Sequence, residues 1–214
     1  MHNILVYSDS LSWGIIPDTR KRLEFNERWP GVLENNLNIN SKQVRVIENC
    51  LNGRRTVWDD PFKSGRNGLE SIQQIIEINS PLSLVILMLG TNDFQSMHNN
   101  NSWHSAQGIR SIINSIRTAP IEPEMTIPKI LLVTPPILEN PKGIIAPKFE
   151  GGNLKCEDLP KEYELVAENT KCFYFDSNSI IKVSKIDGVH IDKNEHKTLG
   201  NALTNIVENI IKGI

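Results

Sequence analysis

Four short segments of this 214-residue chain contain side chains that are suited to acyl transfer. That reaction requires a hydroxyl nucleophile, an imidazole that takes its proton, a carboxylate that holds the imidazole, and hydrogen-bond donors where the oxyanion forms. The segments are Ser8–Gly14, Asn49–Thr56, Gly90–Asp93 and Asp187–His190. Together they supply all of these groups, so the sequence predicts an acyl-transfer site if the fold brings the segments together.

The nucleophile and its base are expected from the first and the last segment. Ser10 lies in a tight turn that could open a helix, although spacing alone does not distinguish it from Ser8 or Ser12. Asp187 and His190 are three residues apart, so the carboxylate can face Nδ1 of the imidazole and leave Nε2 for the serine. By itself, an Asp-x-x-His pair is more often a surface pair or a helix cap.

The two middle segments offer donors for an oxyanion. Gly53 has a backbone N–H that no side chain obstructs, and Asn92 has a neutral amide with no proton to lose. Asp93 is better explained as a structural hydrogen-bond acceptor, and Arg54 and Arg55 are expected in surface salt pairs. Gly-Thr-Asn-Asp alone is most often a turn, so the conjunction of all four segments carries the prediction.

Five short apolar runs predict the strands that position these segments. They are nearly continuous rather than alternating, which is typical of parallel strands covered on both faces. Ligands of such a sheet bind beyond the carboxyl ends of its strands, and the four polar segments are expected on that rim. The predicted strands are Asn3–Tyr7, Val44–Glu48, Leu82–Leu89, Lys129–Thr134 and Cys172–Phe175.

Segments of helical period alternate with the strands, which predicts a single domain over residues 1–214 with a three-layer α/β/α fold. Asn26 and Ser102 are the expected caps of two helices. The Pro- and Gly-rich stretch Pro135–Gly152 is too long for an ordinary connection and is expected to cover a site. The predicted helices are Glu27–Leu37, Asn67–Ile78, Ser102–Thr118, Asp158–Asn169 and Lys193–Lys212.

Composition and charge argue against several classes of binding partner. A formal net charge of −2 argues against nucleic acid or an anionic membrane surface, since both require clustered positive charge. The longest apolar run, Leu82–Leu89, is too short to cross a bilayer, so no membrane insertion is expected. Three scattered cysteines indicate buried free thiols and a cytoplasmic protein. The remaining histidines lack metal-ligand spacing, so no metal or other cofactor is expected.

Four blocks of the chain resemble those of the SGNH hydrolases, also called the GDSL esterase and lipase family. The flanking sequences, such as RWPGVLENNL and VILMLGTNDF, are similar to the arylesterase and acyltransferase branch of that family over essentially the whole chain. The resemblance implies a flavodoxin-like SGNH hydrolase fold with about five parallel strands. The matching residues are Asp9-Ser10-Leu11, Gly53, Gly90-Thr91-Asn92-Asp93 and Asp187-x-x-His190.

Carried over by position, the resemblance implies that Ser10 is the nucleophile, His190 the base and Asp187 the acid that orients it. The oxyanion hole would then consist of the Ser10 amide, the Gly53 amide and the Asn92 side chain. These roles predict a serine esterase for small acyl or aryl esters, with acyl transfer to alcohols as a further activity. A homo-oligomer is also favoured, because oligomers are common in this branch.

The first block contains two further residues that bear on the site, Trp13 and Ser8. The resemblance suggests that Trp13 lines an acyl pocket, whereas an aromatic residue near a turn is equally often simple packing. The family usually has glycine before Asp-Ser, and this chain has Ser8. Serine costs little there if the backbone is extended, and displaces the Ser10 amide if glycine's conformational freedom is required.

Other functions remain as alternatives at this point. Deacetylation of a carbohydrate and cleavage of a lysophospholipid are reached by related folds through their loops. A flavodoxin-like FMN-binding protein is the alternative from another class, because the backbone N–H groups of Ser8, Ser10 and Ser12 could hold a phosphate. A catalytically inactive binding protein is a third, motivated only by Ser8.

Overall fold

The computed structural model describes residues 2–39 and 43–213. Five parallel strands form one sheet in the order β2-β1-β3-β4-β5. The predicted parallel sheet is therefore confirmed, and the fourth strand has the predicted bounds. The strands are β1 His2–Ser8, β2 Val44–Cys50, β3 Leu84–Met88, β4 Lys129–Thr134 and β5 Phe173–Asp176.

Helices cover both faces of the sheet. The longest of them, at the carboxyl end, has the bounds that its apolar periodicity predicted. Within the described ranges, three short 3-10 helices lie in the connections: Thr91–Phe94, Gly143–Phe149 and Ser177–Ser179. The α-helices are α1 Ser10–Trp13, α2 Trp29–Asn38, α3 Gly68–Asn79, α4 Ser102–Arg117, α5 Gly152–Lys155, α6 Leu159–Thr170 and α7 Lys193–Lys212.

Side chains of the central strand β3 alternate between two apolar cores, because successive residues of a strand point to opposite faces. Leu84, Ile86 and Met88 pack with the apolar faces of α2 and α7. Val85 and Leu87 pack on the other side with α3, α4 and α6. This burial on both faces explains the continuous apolar run and confirms the three-layer α/β/α fold.

The two predicted helix caps are wrong. Asn26 instead accepts a hydrogen bond from Asn35, and α2 begins after Arg28, where Pro30 fits the first turn. The cap of α4 is Asn101, whose side chain accepts a hydrogen bond from the main chain of His104. Ser102 is the first residue of α4, so the cap was predicted one residue too far along the chain.

The described residues contain three free cysteines, of which Cys156 is buried while Cys50 and Cys172 are half-buried. The expectation of three buried thiols therefore holds for one of them. Within residues 2–39 and 43–213, no helix combines the length and the apolar character needed to cross a lipid bilayer.

Candidate active site

Ser10, His190 and Asp187 form one line of hydrogen bonds at the carboxyl edge of the sheet. The chain leaves β1 at Ser8, and the Asp9 side chain caps α1 by accepting a hydrogen bond from the Leu11 main chain at 2.9 Å. Ser10 is thus the first residue of α1, and its Oγ lies 3.2 Å from Nε2 of His190. Nδ1 of His190 lies 2.7 Å from Oδ2 of Asp187. This geometry allows proton transfer from the serine to an imidazole held by a carboxylate.

The turn from Asp187 to His190 fixes the carboxylate. Oδ1 of Asp187 accepts hydrogen bonds from the main chains of Val189 and His190, each at 2.9 Å. Burial by itself raises the pKa of Asp187, but the hydrogen bonds and charge interaction with His190 outweigh it and lower that pKa to about 2. Asp187 is therefore ionised throughout the range in which a histidine acts as a base.

Gly188 makes this turn possible. Its φ of +71° lies in the left-handed region, and a Cβ there would lie 2.1 Å from the Glu139 carbonyl oxygen. The close approach lets the main chain of Glu139 donate to the Gly188 carbonyl at 3.1 Å and that of Lys142 to the Asp187 carbonyl at 2.9 Å. The segment Pro135–Gly152 is thereby tied to the turn that holds the carboxylate.

The structure distinguishes the three serines that spacing left equivalent. Ser8 is the last residue of β1, is fully buried, and donates its hydroxyl to the Met88 carbonyl at 2.6 Å. Ser12 is also buried, donates to Ser8 Oγ at 2.6 Å and accepts from Trp29 Nε1 at 3.0 Å. Both hydroxyls are occupied inside the core, so Ser10 is the serine whose hydroxyl lies beside His190.

The sequence-predicted oxyanion donors lie beside Ser10. Gly53 has a φ of +85°, a backbone conformation that favours glycine, and it lines the same cleft as Ser10, Asn92 and His190. Nδ2 of Asn92 donates one hydrogen bond to Oδ2 of Asp9 at 2.9 Å. Among the described residues the second N–H of this amide has no acceptor, so it is available to an oxygen in the cleft.

Two residues that the sequence analysis did not assign hold the Asn92 amide. Asp9 accepts from its nitrogen, and Nε2 of Gln95 donates to its Oδ1 at 2.8 Å. Burial raises the pKa of Asp9 to about 6, although its hydrogen bonds and the charge of His190 act in the opposite direction. The i, i+3 spacing of Asn92 and Gln95 in a turn was the available sequence signal, since residues at that spacing are neighbours.

The expectation that Arg54 and Arg55 form surface salt pairs is wrong, because both are buried. Arg54 donates to the Ser8 carbonyl at 2.9 Å and stacks over the Tyr7 ring. Arg55 forms an ion pair of 3.0 Å with Asp60 and donates to Oε1 of Gln95. A buried guanidinium requires several acceptors. Asp60 is close to Arg55 in sequence, whereas Ser8 and Gln95 come from distant segments.

Asp93 has the structural role that the sequence analysis expected. Its carboxylate accepts from the Thr56 main chain at 2.9 Å, from the Thr56 hydroxyl at 2.7 Å and from the Ser105 hydroxyl at 2.7 Å. Burial raises the pKa of Asp93. The carboxylate thus ties the segment that contains Gly53 to the segment that contains Asn92.

A two-part cleft opens in front of Ser10. The inner part, about 60 Å³, contains Ser10 and the oxyanion donors, whereas the outer part, about 410 Å³, lies on the side of Asp187. His190 borders both. The other residues of the inner part are Ile15, Arg20, Asn52, Asp60, Lys63, Ile145, Lys148 and Phe149. The remaining outer residues are Asp18, Thr19, Arg20, Ile144, Ile145 and Lys148.

The stretch Pro135–Gly152 contributes to both parts of the cleft through its 3-10 helix, so the expectation that it covers a site is confirmed. Trp13 lines neither part; its ring instead packs beneath the Arg22 guanidinium at 4.8 Å. In the part of the chain that the structure describes, no group of three or more His, Cys, Asp or Glu side chains is arranged to hold a metal ion.

His196 lies in α7 and is fully buried, and its Nδ1 accepts a hydrogen bond from the Trp29 main chain at 3.2 Å. Burial, with the charges of His190 and Arg28, lowers the pKa of His196 to about 3. This histidine is therefore neutral and structural.

Comparison with solved structures shows close similarity over almost the whole chain. The inhibitor-bound aryl esterase of M. smegmatis is 31% identical, with 98% of this chain and 100% of that chain covered and a TM-score of 0.92. Est24, a carbohydrate acetylesterase from Sinorhizobium meliloti, is 30% identical, with 98% and 100% covered and a TM-score of 0.91. TesA, at 17% identity, 98% and 99% coverage and a TM-score of 0.68, shares the fold. No protein-family model and no curated protein matches the chain.

Proposed function

The chain belongs to the SGNH hydrolases, the GDSL esterase and lipase family, and is an ester hydrolase. We propose that it is a serine esterase that cleaves esters of small acyl groups through a triad of Ser10, His190 and Asp187. The observation that carries this proposal is the line of hydrogen bonds from Ser10 Oγ through both ring nitrogens of His190 to Asp187, at 3.2 and 2.7 Å.

In the acylation step, His190 Nε2 takes the Ser10 proton as Oγ attacks the ester carbonyl carbon. The carbonyl oxygen becomes an oxyanion, which accepts hydrogen bonds from the Ser10 and Gly53 main chains and from Asn92. As the intermediate collapses, the bond to the alcohol oxygen breaks and His190 returns the proton to that oxygen. The products are a free alcohol and an acyl group bound to Ser10.

In the deacylation step, His190 takes a proton from water, and the resulting attack releases a carboxylic acid and restores the Ser10 hydroxyl. An alcohol in place of water would accept the acyl group and form a new ester. We propose this transfer as a second outcome of the same intermediate, in competition with hydrolysis.

The two parts of the cleft differ in size, and this difference favours a particular substrate orientation. The inner part, with Ser10, Gly53 and Asn92, has a volume of about 60 Å³ and suits a short acyl group. The outer part, about 410 Å³, lies beside His190, which must reach the leaving oxygen. An ester with a short acyl group and a larger alcohol group therefore matches the cleft.

The direct test is hydrolysis of p-nitrophenyl acetate by the wild type and by Ser10→Ala. We expect kcat to fall by about 10⁴-fold or more, because the members of a triad act as a unit. Ser111→Ala is a matched control, since Ser111 lies on the exposed face of α4. A phosphonate probe should add its mass to Ser10 in the wild type. A Ser10→Ala enzyme that retains a tenth of the wild-type rate would overturn the assignment.

Removal of an acetyl group from a carbohydrate is the second candidate function. The similarity to Est24, whose name describes a carbohydrate acetylesterase, favours it, and the outer part of the cleft has room for a sugar. Comparing kcat/KM for an acetylated monosaccharide with that for phenyl acetate would decide between an acetylated sugar and an aryl ester as the preferred substrate class.

A further inference from the structure

Three basic side chains border the cleft in front of Ser10. Arg20, Lys63 and Lys148 line its inner part, and Arg20 and Lys148 also line the outer part beside His190. Among the described residues none of the three has an ion-pair partner within 4.0 Å. The cleft thus has positive groups whose charge the protein does not neutralise directly.

The acidic side chains at the cleft compensate this positive charge only in part. Asp60 is paired with Arg55 at 3.0 Å, whereas Asp187 is bonded at 2.7 Å to His190, an imidazole that carries no charge while it acts as a base. Of the carboxylates that line the two parts of the cleft, Asp18 and Asp187 therefore have no permanent cation as a partner. Three cations face these two carboxylates, although the whole chain has a formal net charge of −2.

The three cations also act on one another. Burial lowers the pKa of Lys148, and the charges of Arg55, Lys63 and Arg20 lower it further, against the opposing effect of Asp60. Like charges in one cleft repel each other and concentrate positive potential there, which attracts anions. A bound anion would relieve that repulsion.

We propose that the alcohol portion of the substrate carries an anionic group, a carboxylate or a phosphate, which Arg20 and Lys148 bind in the outer part of the cleft. This inference rests on the esterase function proposed above. Arg20 and Lys148 border the space beside His190, and the substrate orientation proposed above places the leaving alcohol there. A guanidinium and an ammonium suit either anion, since both donate hydrogen bonds to carboxylate and phosphate oxygens.

The test compares aryl acetates of similar shape and different charge. The substrates are 4-acetoxybenzoate, 4-acetoxyphenyl phosphate and the neutral methyl ester of 4-acetoxybenzoate. For each anionic substrate, the readout is the ratio of its kcat/KM to that of the neutral ester. Comparing this ratio between variants cancels the differences in leaving-group chemistry between the substrates.

In the double variant Arg20→Gln/Lys148→Gln we expect the ratio to fall about 5–25-fold, mainly through KM, since each exposed charge pair contributes a few-fold. Lys161→Gln is the matched control, because it removes one positive charge from α6, outside the cleft. The wild-type ratio should also fall when salt is raised from about 0.02 to 0.5 M, since salt screens exposed charges. Of the two anionic substrates, the one whose ratio falls more in the double variant carries the preferred anion.

An unchanged ratio in the double variant would overturn the inference. So would a fall in the ratio for Lys161→Gln that, for each charge removed, is as large as the fall in the double variant. Turnover of the neutral ester by the wild type reports the proposed function separately. Binding of 4-hydroxybenzoate, measured by calorimetry, requires no turnover and should weaken by a similar factor in the double variant. Equal binding to both proteins would contradict the inference even if the enzyme hydrolysed none of these esters.

Discussion

Replacing Ser8 by glycine, the usual residue of the family, should destabilise this protein and leave catalysis nearly unchanged. Ser8 ends β1, pairs with Cys50 on one side and Met88 on the other, and does not have a positive φ. Its hydroxyl donates to the Met88 carbonyl and accepts from Ser12, each at 2.6 Å. The position therefore does not need glycine, and the side chain is part of a buried hydrogen-bond network.

The expected magnitude has two parts. Glycine in a strand is less stable than alanine by about 0.5–1 kcal/mol, because it loses more backbone freedom on folding. Removing the Ser8 hydroxyl leaves the Ser12 hydroxyl without its acceptor, which costs about 1–3 kcal/mol in a buried site. A 3.9 Å contact from Ser12 to the Met88 sulfur moderates this loss. The sum, about 1.5–4 kcal/mol, corresponds to a fall in Tm of roughly 3–16 °C for a chain of this size.

Urea unfolding of the wild type, Ser8→Ala and Ser8→Gly separates these two parts. Ser8→Ala removes only the hydroxyl, so the further loss in Ser8→Gly measures the backbone contribution. We expect kcat for p-nitrophenyl acetate to stay within about twofold in both variants, because the main chain that leads to Ser10 is already extended. If Ser8→Gly were more stable than the wild type and several-fold faster, serine would be straining the turn and the reasoning would be wrong.

Three further predictions concern the groups around the oxyanion. Asn92→Ala should lower kcat for p-nitrophenyl acetate by about 100–1,000-fold with little effect on KM; a loss that appears mainly in KM would make Asn92 a substrate-binding residue. Gln95→Ala should lower kcat by about 10–100-fold through misplacement of the Asn92 amide, and a variant that loses stability but keeps kcat would refute this positioning role. Because burial raises the pKa of Asp9 to about 6, its contribution to stability is fully present below about pH 4 and is lost as the pH rises through 6. The amide introduced by Asp9→Asn cannot ionise, so the unfolding free energy of this variant minus that of the wild type should increase by about 2–3 kcal/mol from pH 4 to pH 8. If urea titrations gave the same difference at both pH values, the prediction would be contradicted.

The sequence alone was sufficient to predict the layers of this protein. Apolar runs such as Lys129–Thr134 and the periodic residues of Lys193–Lys212 predicted their elements with the observed bounds. Such patterns are local, because each residue's side of a strand or helix follows from its position in a short repeat. The parallel order of the sheet then predicted that segments as distant as Ser8–Gly14 and Asp187–His190 meet at one edge.

Only the tertiary structure decided which side chains act on one another at that edge. Ser8, Ser10 and Ser12 are equivalent by spacing, yet only Ser10 lies beside His190, because Ser8 and Ser12 point into the core between the sheet and α2. Arg55 was expected at the surface and is buried, where it bonds to Gln95, 40 residues further along the chain, as well as to the nearby Asp60. The cations of the cleft likewise come from three separate connecting segments, one of which contains the 3-10 helix Gly143–Phe149. Partners of this kind depend on long-range packing, which no local repeat in the sequence encodes.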